Sequence, residues 1–291
     1  MQDISVAVLG AGGTMGLPMT RNLARAGLRV TAWNRSPDKL AALTADGIPA
    51  ADSPARAAAG ADFVLTMLSD AGAVLATMNG PHGALAAMDA SAIWLQMSTI
   101  GEQGTQDCAA LAADQAVFVD APVLGTRQPA EQGTLVVLAS GPDQAREPVR
   151  PVFETVGQKT IWAGEAGAGT RLKLVANSWV LSVVEATAET IALAEALDVD
   201  PGQFLDAVAG GALDLPYLRL KAAAMASRSF DPAFALRLAA KDGGLVQDAA
   251  ARRDLDLPLL RAVRDRMAEG AIKYGDLDFS ATYLTSAPRP D

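Results

Sequence analysis

The sequence contains little cysteine, histidine or aromatic residue. Of its 291 residues, one is a cysteine (Cys108) and one a histidine (His82), and aromatic residues make up 5%. A single cysteine excludes an intrachain disulfide, and so few Cys and His residues exclude a metal site built from several of them. We therefore expect a protein of a reducing compartment with no bound metal, in which Cys108 packs inside a helix and His82 lies in a surface turn.

Positive charge and long apolar runs are also scarce. The chain has 24 Lys and Arg against 33 Asp and Glu, a net charge of −9. This balance disfavours non-specific binding to nucleic acid or to an anionic membrane. No run approaches the ~20 apolar residues that a membrane span needs, and no charged segment precedes the first apolar run. We expect a cytoplasmic protein without nucleic-acid or membrane partners.

The first part of the chain alternates apolar, strand-like runs with helical patterns. This alternation predicts an α/β fold with a mainly parallel, doubly wound sheet, helices covering both faces. The predicted strands cover residues 4–9, 29–33, 62–68, 92–97, 116–120, 134–138 and 159–162.

Strand-like runs end at a glycine-rich joint near residue 164. Beyond it, the apolar spacing predicts helices, beginning with one unusually long helix. The chain therefore divides into a nucleotide-binding domain, residues 1–164, and an all-α domain for substrate binding and oligomerisation, residues 165–291. The predicted helices cover residues 170–197, 201–209, 216–227, 232–251 and 256–271.

The first strand leads into a glycine-rich turn with the sequence Gly10-Ala11-Gly12-Gly13-Thr14-Met15-Gly16. Glycine lets such a turn close and lets the backbone approach a pyrophosphate, while the following helix N-terminus attracts negative charge. The last glycine comes one residue later than in the six-residue dinucleotide fingerprint. We expect the extra residue to lengthen the turn locally without removing the pyrophosphate site.

The second predicted strand ends at Asn34-Arg35-Ser36, where an NAD site usually has Asp or Glu for the ribose hydroxyls. Arg35 can pair with a 2′-phosphate, and Ser36 can donate a hydrogen bond to it. These residues favour NADP(H). Alternatively, Ser36 caps the next helix ahead of Pro37.

Two further loops follow the carboxyl ends of strands, where ligands of open α/β sheets collect. Met67, Leu68 and Ser69 belong to the first loop, and Thr99 belongs to the second. We assign these residues to the cofactor site. As plain helix caps, Ser69, the adjacent Asp70 and Thr99 would need no ligand.

The start of the long helix reads Gly167-x-Gly169-x-x-x-Lys173-x-x-x-Asn177. Lys173 and Asn177 are four residues apart and share one helix face. A lysine on an apolar helix costs desolvation unless a polar or anionic group meets it, and burial lowers its pKa toward the range of proton exchange. The alternative is a lysine whose ammonium reaches solvent.

The chain also contains Asn22-Leu23, the loop Asp120-Ala121-Pro122-Val123 and a Lys241-Asp242 pair. Together with the motifs above, they occur in an order that resembles the β-hydroxyacid dehydrogenase family. The resemblance covers essentially the whole chain. It implies a Rossmann-type first domain, a helical second domain that also builds a homodimer or homotetramer, and an active site between the domains. The substrate would be a carboxylate-bearing aldehyde or hydroxy acid.

By this resemblance, Lys173 is the catalytic acid/base, Asn177 holds the lysine or the substrate, and Lys241 approaches the nicotinamide. Leu124, Gly125 and Thr126 would contact the substrate. The cofactor contacts would comprise Gly10, Ala11, Gly12, Thr14, Met15, Asn34, Arg35, Ser36, Met67, Leu68, Ser69, Thr99 and Lys241.

The chain departs from the family pattern at Leu124, where members usually have a serine that contacts the substrate carboxylate. Gly125 N–H, Thr126 or Arg127 must then bind that carboxylate, or the substrate is less polar there. The segment from Pro129 to Leu135 resembles the glyoxylate and succinic semialdehyde reductases. Two alternatives stay open: an imine reductase with an apolar pocket around Leu124 and Trp179, and a non-catalytic NADP-binding scaffold.

Overall fold

The computed structural model describes residues 4–287 and has eight strands. The seven predicted strands are confirmed, one with the predicted ends (29–33) and six with slightly different ends, and the eighth, β6, was not predicted. Only two residues long, β6 lies between Pro122 and Gly125 and is too short to show a periodic pattern. The strands are β1 (Ser5–Leu9), β2 (Arg29–Trp33), β3 (Phe63–Thr66), β4 (Ile93–Gln96), β5 (Val117–Asp120), β6 (Val123–Leu124), β7 (Leu135–Ala139) and β8 (Gly157–Trp162).

Five of these strands form a parallel sheet in the order β2-β1-β3-β4-β5. Because β1 lies between β2 and β3, the chain order reverses at β1, and the crevice beyond its carboxyl end is the usual ligand position of such sheets. Leu9 pairs with Trp33 and Thr66, so the loops after β1, β2 and β3 begin at one edge. This is the predicted α/β fold.

The remaining strands form a smaller sheet in the order β6-β7-β8. The β6–β7 pair is antiparallel and the β7–β8 pair is parallel. An isolated antiparallel bridge joins Asp120, the last residue of β5, to Ser140, which follows β7. The carboxyl end of β5 is therefore tied to the end of β7.

Within residues 4–287, thirteen α-helices accompany these strands, and 3-10 helices occur at Pro37–Leu40, Leu85–Ala87, Asp143–Ala145 and Phe279–Thr282. The α-helices are α1 (Gly16–Arg25), α2 (Ala41–Ala45), α3 (Pro54–Ala58), α4 (Ala71–Asn79), α5 (Gly101–Ala112), α6 (Arg127–Gln132), α7 (Arg146–Val156), α8 (Ala168–Ala196), α9 (Pro201–Val208), α10 (Pro216–Ala226), α11 (Leu236–Ala251), α12 (Pro258–Tyr274) and α13 (Tyr283–Ser286).

The predicted helices are present, but the helix predicted from residue 232 begins only at Leu236. The backbone N–H groups of Ala233 and Phe234 donate to the carboxylate of Asp278, at 3.3 and 3.2 Å. This competing partner holds the preceding segment in an irregular conformation. No helix within residues 4–287 is long and apolar enough to cross a membrane.

Residue contacts divide the chain into two compact units, Met1–Lys173 and Leu174–Asp291. The first unit has an apolar cluster on each face of its parallel sheet, because successive strand residues point to opposite faces. Leu65 belongs to one cluster, and Val64 and Trp94 belong to the other. As predicted, Cys108 is buried and His82 is exposed.

The second unit has its own core around α8, α10, α11 and α12. Leu181, Val184 and Ile191 contribute from α8 and are fully buried. A buried ion pair between Lys221 Nζ and Asp278 Oδ1, at 2.7 Å, fixes α10 to the segment before the last helix. The second unit is all-helical, as the sequence predicts.

Candidate functional site: a dinucleotide turn and a lysine-bearing helix

The glycine turn joins β1 to α1 and is held by the end of β2. The N–H groups of Gly10 and Ala11 both donate to the carbonyl of Trp33, at 2.9 and 3.0 Å. Gly13 N–H donates back to the Gly10 carbonyl at 3.1 Å and closes a tight turn. The N-terminal N–H groups of α1 therefore point toward the carboxyl edge of the sheet, where an anion can meet them.

Three glycines of this turn are required by close contacts. A Cβ at Gly10 would lie 2.2 Å from the Met67 carbonyl oxygen, and a Cβ at Gly16 would lie 2.1 Å from the Gly10 carbonyl oxygen. A Cβ at Gly12 would lie 2.6 Å from Lys39 Cβ. Gly13 is the least constrained, since its Cβ would approach only the Gly10 carbonyl oxygen, at 3.3 Å. The functional spacing is therefore Gly10-x-Gly12-x-x-x-Gly16.

Asn34 connects the glycine turn to the loop after β2. Its side-chain oxygen accepts from Gly12 N–H at 3.3 Å, and its side-chain nitrogen donates to the Ser36 carbonyl at 3.0 Å. Ser36 occupies the N-cap position of a 3-10 helix, but its side chain makes no capping hydrogen bond. Ser36 therefore holds the N-cap position ahead of Pro37, as the alternative predicts, but its hydroxyl makes no capping bond. Ser36 and the adjacent Arg35 are both exposed.

Lys39 is a residue that the sequence analysis missed. Its Cβ lies close to Gly12, and its side chain is exposed on the same 3-10 helix that follows Ser36. Lys39 therefore adds a second cation to the loop that carries Arg35. The signal in the sequence is a second cation four residues after Arg35, in the short segment that follows β2.

The loops after β3 and β4 are fastened to each other by Ser98. Its hydroxyl accepts from Leu68 N–H at 2.9 Å and donates to the Thr66 carbonyl at 3.2 Å. Asp70 caps α4 by accepting from Ala73 N–H, and Ser69 donates to Asp70 at 2.6 Å. The capping interpretation is thus confirmed for Asp70.

Thr99 directly precedes the N-cap residue of the next helix. The N-cap position of α5 belongs to Ile100, whose side chain makes no capping bond. The N–H of the neighbouring Ser98 donates to Gln96 Oε1 at 2.9 Å. Thr99 lies partly buried between Ser98 and Ile100.

The predicted substrate loop runs from β6 into α6. Leu124 pairs with Val136 in the small sheet, and Gly125 has φ +122°, a conformation that disfavours any side chain. Thr126 holds the N-cap position of α6 without a side-chain capping bond. Arg127 pairs with Glu131 at 3.0 Å on the surface.

Asp120 lies fully buried at the end of β5, where its carboxylate faces the start of α8. Burial raises the pKa of this carboxyl to about 6, although hydrogen bonds from Thr170 and Ser140 oppose the shift. Asp120 belongs to the sequence motif Asp120-Ala121-Pro122-Val123, but the motif alone predicts no role for its carboxylate.

Lys173 is partly buried on α8, one helical turn before Asn177. Asn177 is 1% exposed, and its side-chain nitrogen donates to Asp242 Oδ2 at 2.9 Å. Lys241 Nζ lies 2.9 Å from Asp242 Oδ1. The sequence predicts no role for Asp242, although this residue directly follows the predicted cofactor contact Lys241.

The residues present suit a dinucleotide. The glycine turn provides a cradle that any Cβ at Gly10, Gly12 or Gly16 would fill, next to the first N–H groups of α1. Arg35 and Lys39 provide positive charge at the end of β2, so the first unit would hold the adenosine and pyrophosphate parts of the cofactor.

Comparison with known proteins supports the same assignment. Residues 5–164 match the family described as the NAD binding domain of 6-phosphogluconate dehydrogenase. Residues 167–285 match the family described as NAD-binding of NADP-dependent 3-hydroxyisobutyrate dehydrogenase. The chain belongs to the β-hydroxyacid dehydrogenase family. It is an oxidoreductase of the hydroxyacid dehydrogenase type that uses a nicotinamide cofactor.

Individual relatives cover nearly the full chain. Glyoxylate/succinic semialdehyde reductase 1 of Arabidopsis thaliana is 31% identical over 280 residues, which cover 96% of each chain. The structure of 3-hydroxyisobutyrate dehydrogenase from Mycobacterium tuberculosis, solved with L-serine, has a TM-score of 0.86 and 31% identity over 97% of this chain and 98% of that one. An imine reductase of Streptomyces aurantiacus, with a TM-score of 0.64 and 22% identity over 98% of this chain and 100% of its own, shares the fold alone.

Proposed function

We propose that this protein is an NADP(H)-dependent oxidoreductase that interconverts a small β-hydroxy acid and its semialdehyde, with Lys173 as the acid/base. The observation that carries the proposal is the arrangement on α8. Lys173 is partly buried one turn before Asn177, and the Asn177 amide is fixed by the buried carboxylate of Asp242. A lysine on an apolar helix beside an oriented amide is equipped to exchange a proton with a substrate oxygen.

In this reaction, Lys173 transfers the proton and Asn177 positions the reacting groups. When bound, a nicotinamide cofactor would supply or accept the hydride at the substrate carbon. In reduction the Lys173 ammonium donates a proton from Nζ to the substrate oxygen, and in oxidation the neutral amine takes that proton back. Asn177, locked by Asp242, presents its amide in one orientation and so positions the lysine or the substrate.

The preference for NADP(H) over NAD(H) is attributed to Arg35, Ser36 and Lys39. Arg35 and Lys39 are exposed cations beside the glycine turn, and no carboxylate occupies the end of β2. A 2′-phosphate carries negative charge and several acceptor oxygens, which guanidinium, ammonium and hydroxyl donors match. Lys241 is assigned to the nicotinamide side.

The substrate carboxylate is assigned to Gly125 N–H and the Thr126 hydroxyl, because Leu124 cannot donate a hydrogen bond. Thr126 supports this assignment, since its hydroxyl is not used to cap α6. The leucine favours substrates with an apolar segment next to the carboxylate. Among semialdehydes, we therefore expect succinic semialdehyde and longer chains to be reduced with a lower KM than glyoxylate.

An imine reductase remains the second candidate, and the observation that favours it is Leu124 in place of the usual serine. Lys173 argues against it, because an acid/base lysine serves a carbonyl or hydroxyl oxygen. Trp179, the other residue of the apolar pocket in this reading, is 67% exposed on α8. It therefore supports the imine reading less than Leu124 does.

Oxidation of NADPH against glyoxylate, succinic semialdehyde, tartronate semialdehyde, longer semialdehydes and cyclic imines tests the proposal. We expect turnover of a semialdehyde that Lys173→Met abolishes without weakening NADPH binding. Arg171→Met, which removes an exposed cation from the same helix, is the matched control. Turnover of imines alone, or full activity of Lys173→Met, would contradict the proposal, and NADPH binding without any turnover would favour the scaffold reading.

We propose further that the chain forms a homodimer or homotetramer through α8. Three apolar side chains of this helix, Val175, Trp179 and Leu193, and Leu197 directly after its end, are 59–67% exposed. Trp179 and Leu193 follow Val175 by 4 and 18 residues, which places these three side chains in one row on one helix face. Covering such a row is favourable, because apolar surface leaves water.

A further inference from the structure

Asp120 makes an unusual set of contacts for a buried carboxylate. Its Oδ2 accepts from Thr170 N–H at 2.8 Å and from the Ser140 hydroxyl at 3.1 Å. Its Oδ1 accepts from the Thr170 hydroxyl at 2.8 Å. Thr170 lies in the first turn of α8, 50 residues further along the chain, so these bonds join the end of β5 to the start of that helix.

Ser140 completes the attachment from the end of β7. Its hydroxyl accepts from Gly169 N–H at 2.9 Å, the residue before Thr170. A Cβ at Gly169 would lie 2.1 Å from the Leu138 carbonyl oxygen, so only glycine lets the helix approach the strand end this closely. Two N–H groups in the first turn of α8 are thus capped by side chains at the end of β5 and just after β7, which belong to different sheets, instead of by a residue next to the helix.

Thr170 receives a further restraint from α5. The hydroxyls of Thr105 and Thr170 lie 2.9 Å apart, and both residues are buried. The first turn of α8 is therefore held from three directions, by α5, β5 and the end of β7. Its rotation about the helix axis and its translation along that axis are both restricted.

We propose that Asp120 is a positioning residue for Lys173: by fixing the first turn of α8, it sets where the lysine Nζ lies. This inference rests on the proposed function, in which Lys173 is the acid/base. Lys173 follows Thr170 by three residues, within one helical turn on a neighbouring part of the surface. A small shift of the first turn therefore moves Nζ relative to a bound substrate.

The chemistry of the cap distinguishes this role from simple helix capping. A neutral serine, threonine or asparagine side chain can cap a helix with a smaller desolvation free energy, because a carboxylate loses the hydration of its charge when it is buried. Asp120 uses both oxygens and three donors, which fixes direction as well as position. The carboxylate also faces the positive end of the helix dipole, which partly compensates its burial.

Steady-state kinetics of Asp120→Asn with NADPH and the preferred semialdehyde test the proposal. We expect kcat to fall roughly 10- to 100-fold, the size expected for a misplaced catalytic group. The KM of the semialdehyde and the Kd of NADPH should stay within twofold. Asp143→Asn, at an exposed aspartate after β7, is the matched control and should leave kcat unchanged.

A double-variant cycle separates positioning from general destabilisation. In a Lys173→Ala background, Asp120→Asn should reduce kcat no further, because the side chain that it positions is gone. Exogenous methylamine should rescue Lys173→Ala and the double variant to the same rate, since a diffusing amine does not depend on the helix for its placement. A loss caused by damage to the fold would lower the rescued rate as well.

Each outcome bears on one of the two proposals. Full activity of Lys173→Ala would overturn the assignment of Lys173, and the role of Asp120 with it. A strong loss in Lys173→Ala, combined with normal activity of Asp120→Asn or additive losses in the double variant, would overturn the role of Asp120 alone.

A second pair of variants decides the question if Asp120→Asn does not fold. Thr170→Ser keeps the hydroxyl that donates to Asp120 and should retain most of kcat. Thr170→Val loses that hydroxyl and should lower kcat at unchanged NADPH affinity. Equal kcat values for these two variants would contradict the proposal.

Discussion

The side-chain amide of Asn177 donates to the carboxylate of Asp242 at 2.9 Å, and both residues are almost fully buried. Rotation of an asparagine side chain can exchange the positions of its amide nitrogen and oxygen. A carboxylate, in contrast, can only accept hydrogen bonds. Asp242 therefore determines that the nitrogen of Asn177 faces the carboxylate and its oxygen faces away. The oxygen is then the atom that Asn177 presents on the other side of its amide.

Removal of the amide should lower both stability and activity. We expect Asn177→Ala to reduce the free energy of unfolding by about 1–3 kcal/mol, because the Asp242 carboxylate loses a buried donor. The kcat/KM of the semialdehyde should fall in parallel. Urea unfolding and steady-state kinetics measure these effects, and Asn79→Ala, at an exposed asparagine of α4, is the control. Purely additive stability losses in Asn177→Ala/Asp242→Ala would show that the pair does not interact.

Two glycines of the turn, Gly13 and Gly16, should differ in how well they tolerate a side chain. Gly16→Ala should abolish NADPH binding or folding, because its Cβ would lie 2.1 Å from a backbone oxygen. Gly13→Ala should bind NADPH nearly as well as the unmodified chain, since its Cβ meets one backbone oxygen at 3.3 Å. NADPH fluorescence titration and thermal unfolding distinguish the two variants. If Gly13→Ala were the more damaging, the spacing Gly10-x-Gly12-x-x-x-Gly16 would be wrong.

Residues whose partners are close in sequence, or whose periodicity is regular, could be predicted. The strand runs and the long helix follow from apolar patterns, and Gly10 follows from the turn that it must close. Asp120 could not be predicted as an anchor of α8, because its partner Thr170 lies 50 residues away. The contact of Asp242 with Asn177 could not be predicted for the same reason, because the two residues are 65 positions apart. Such pairs depend on tertiary contacts that no local pattern encodes.

Cofactor preference should depend on the two exposed cations after β2. We expect Arg35→Ala to weaken NADPH binding about 10- to 100-fold, the size of a lost charge-assisted hydrogen bond, and Lys39→Ala to weaken it less. NADH binding should change little, because NADH lacks the 2′-phosphate. Fluorescence titration with both cofactors measures the ratio, with Arg56→Ala at an exposed arginine of α3 as control. Equal losses for NADPH and NADH would contradict the assignment.

Assembly should depend on the exposed row of α8. Leu193→Glu should shift the chain toward monomers, because a charge placed among apolar side chains must be desolvated on association. Light scattering after size exclusion measures the mass. Ile272→Glu, at an apolar residue of α12 that is 88% exposed, is the matched control and should leave the mass unchanged. A mass that responds to Ile272→Glu alone would assign the interface to α12.

The pKa of Asp120 should make stability depend on pH in a defined direction. Burial raises this pKa from 3.8 to about 6, so the folded protein holds the proton more tightly than the unfolded chain. The resulting stabilisation is fully present below pH 3.8 and is lost as the pH rises through about 6. Between pH 5 and pH 8, we expect the contribution to fall by about 1.4 kcal/mol.

Urea unfolding of the unmodified chain and of Asp120→Asn at each pH isolates the contribution of Asp120 to the free energy of unfolding, because the other groups titrate alike in both proteins. The free energy of unfolding of the unmodified chain minus that of the variant should decrease as the pH rises. A difference that stays constant or increases would show that the carboxyl of Asp120 keeps an ordinary or lowered pKa in the folded protein.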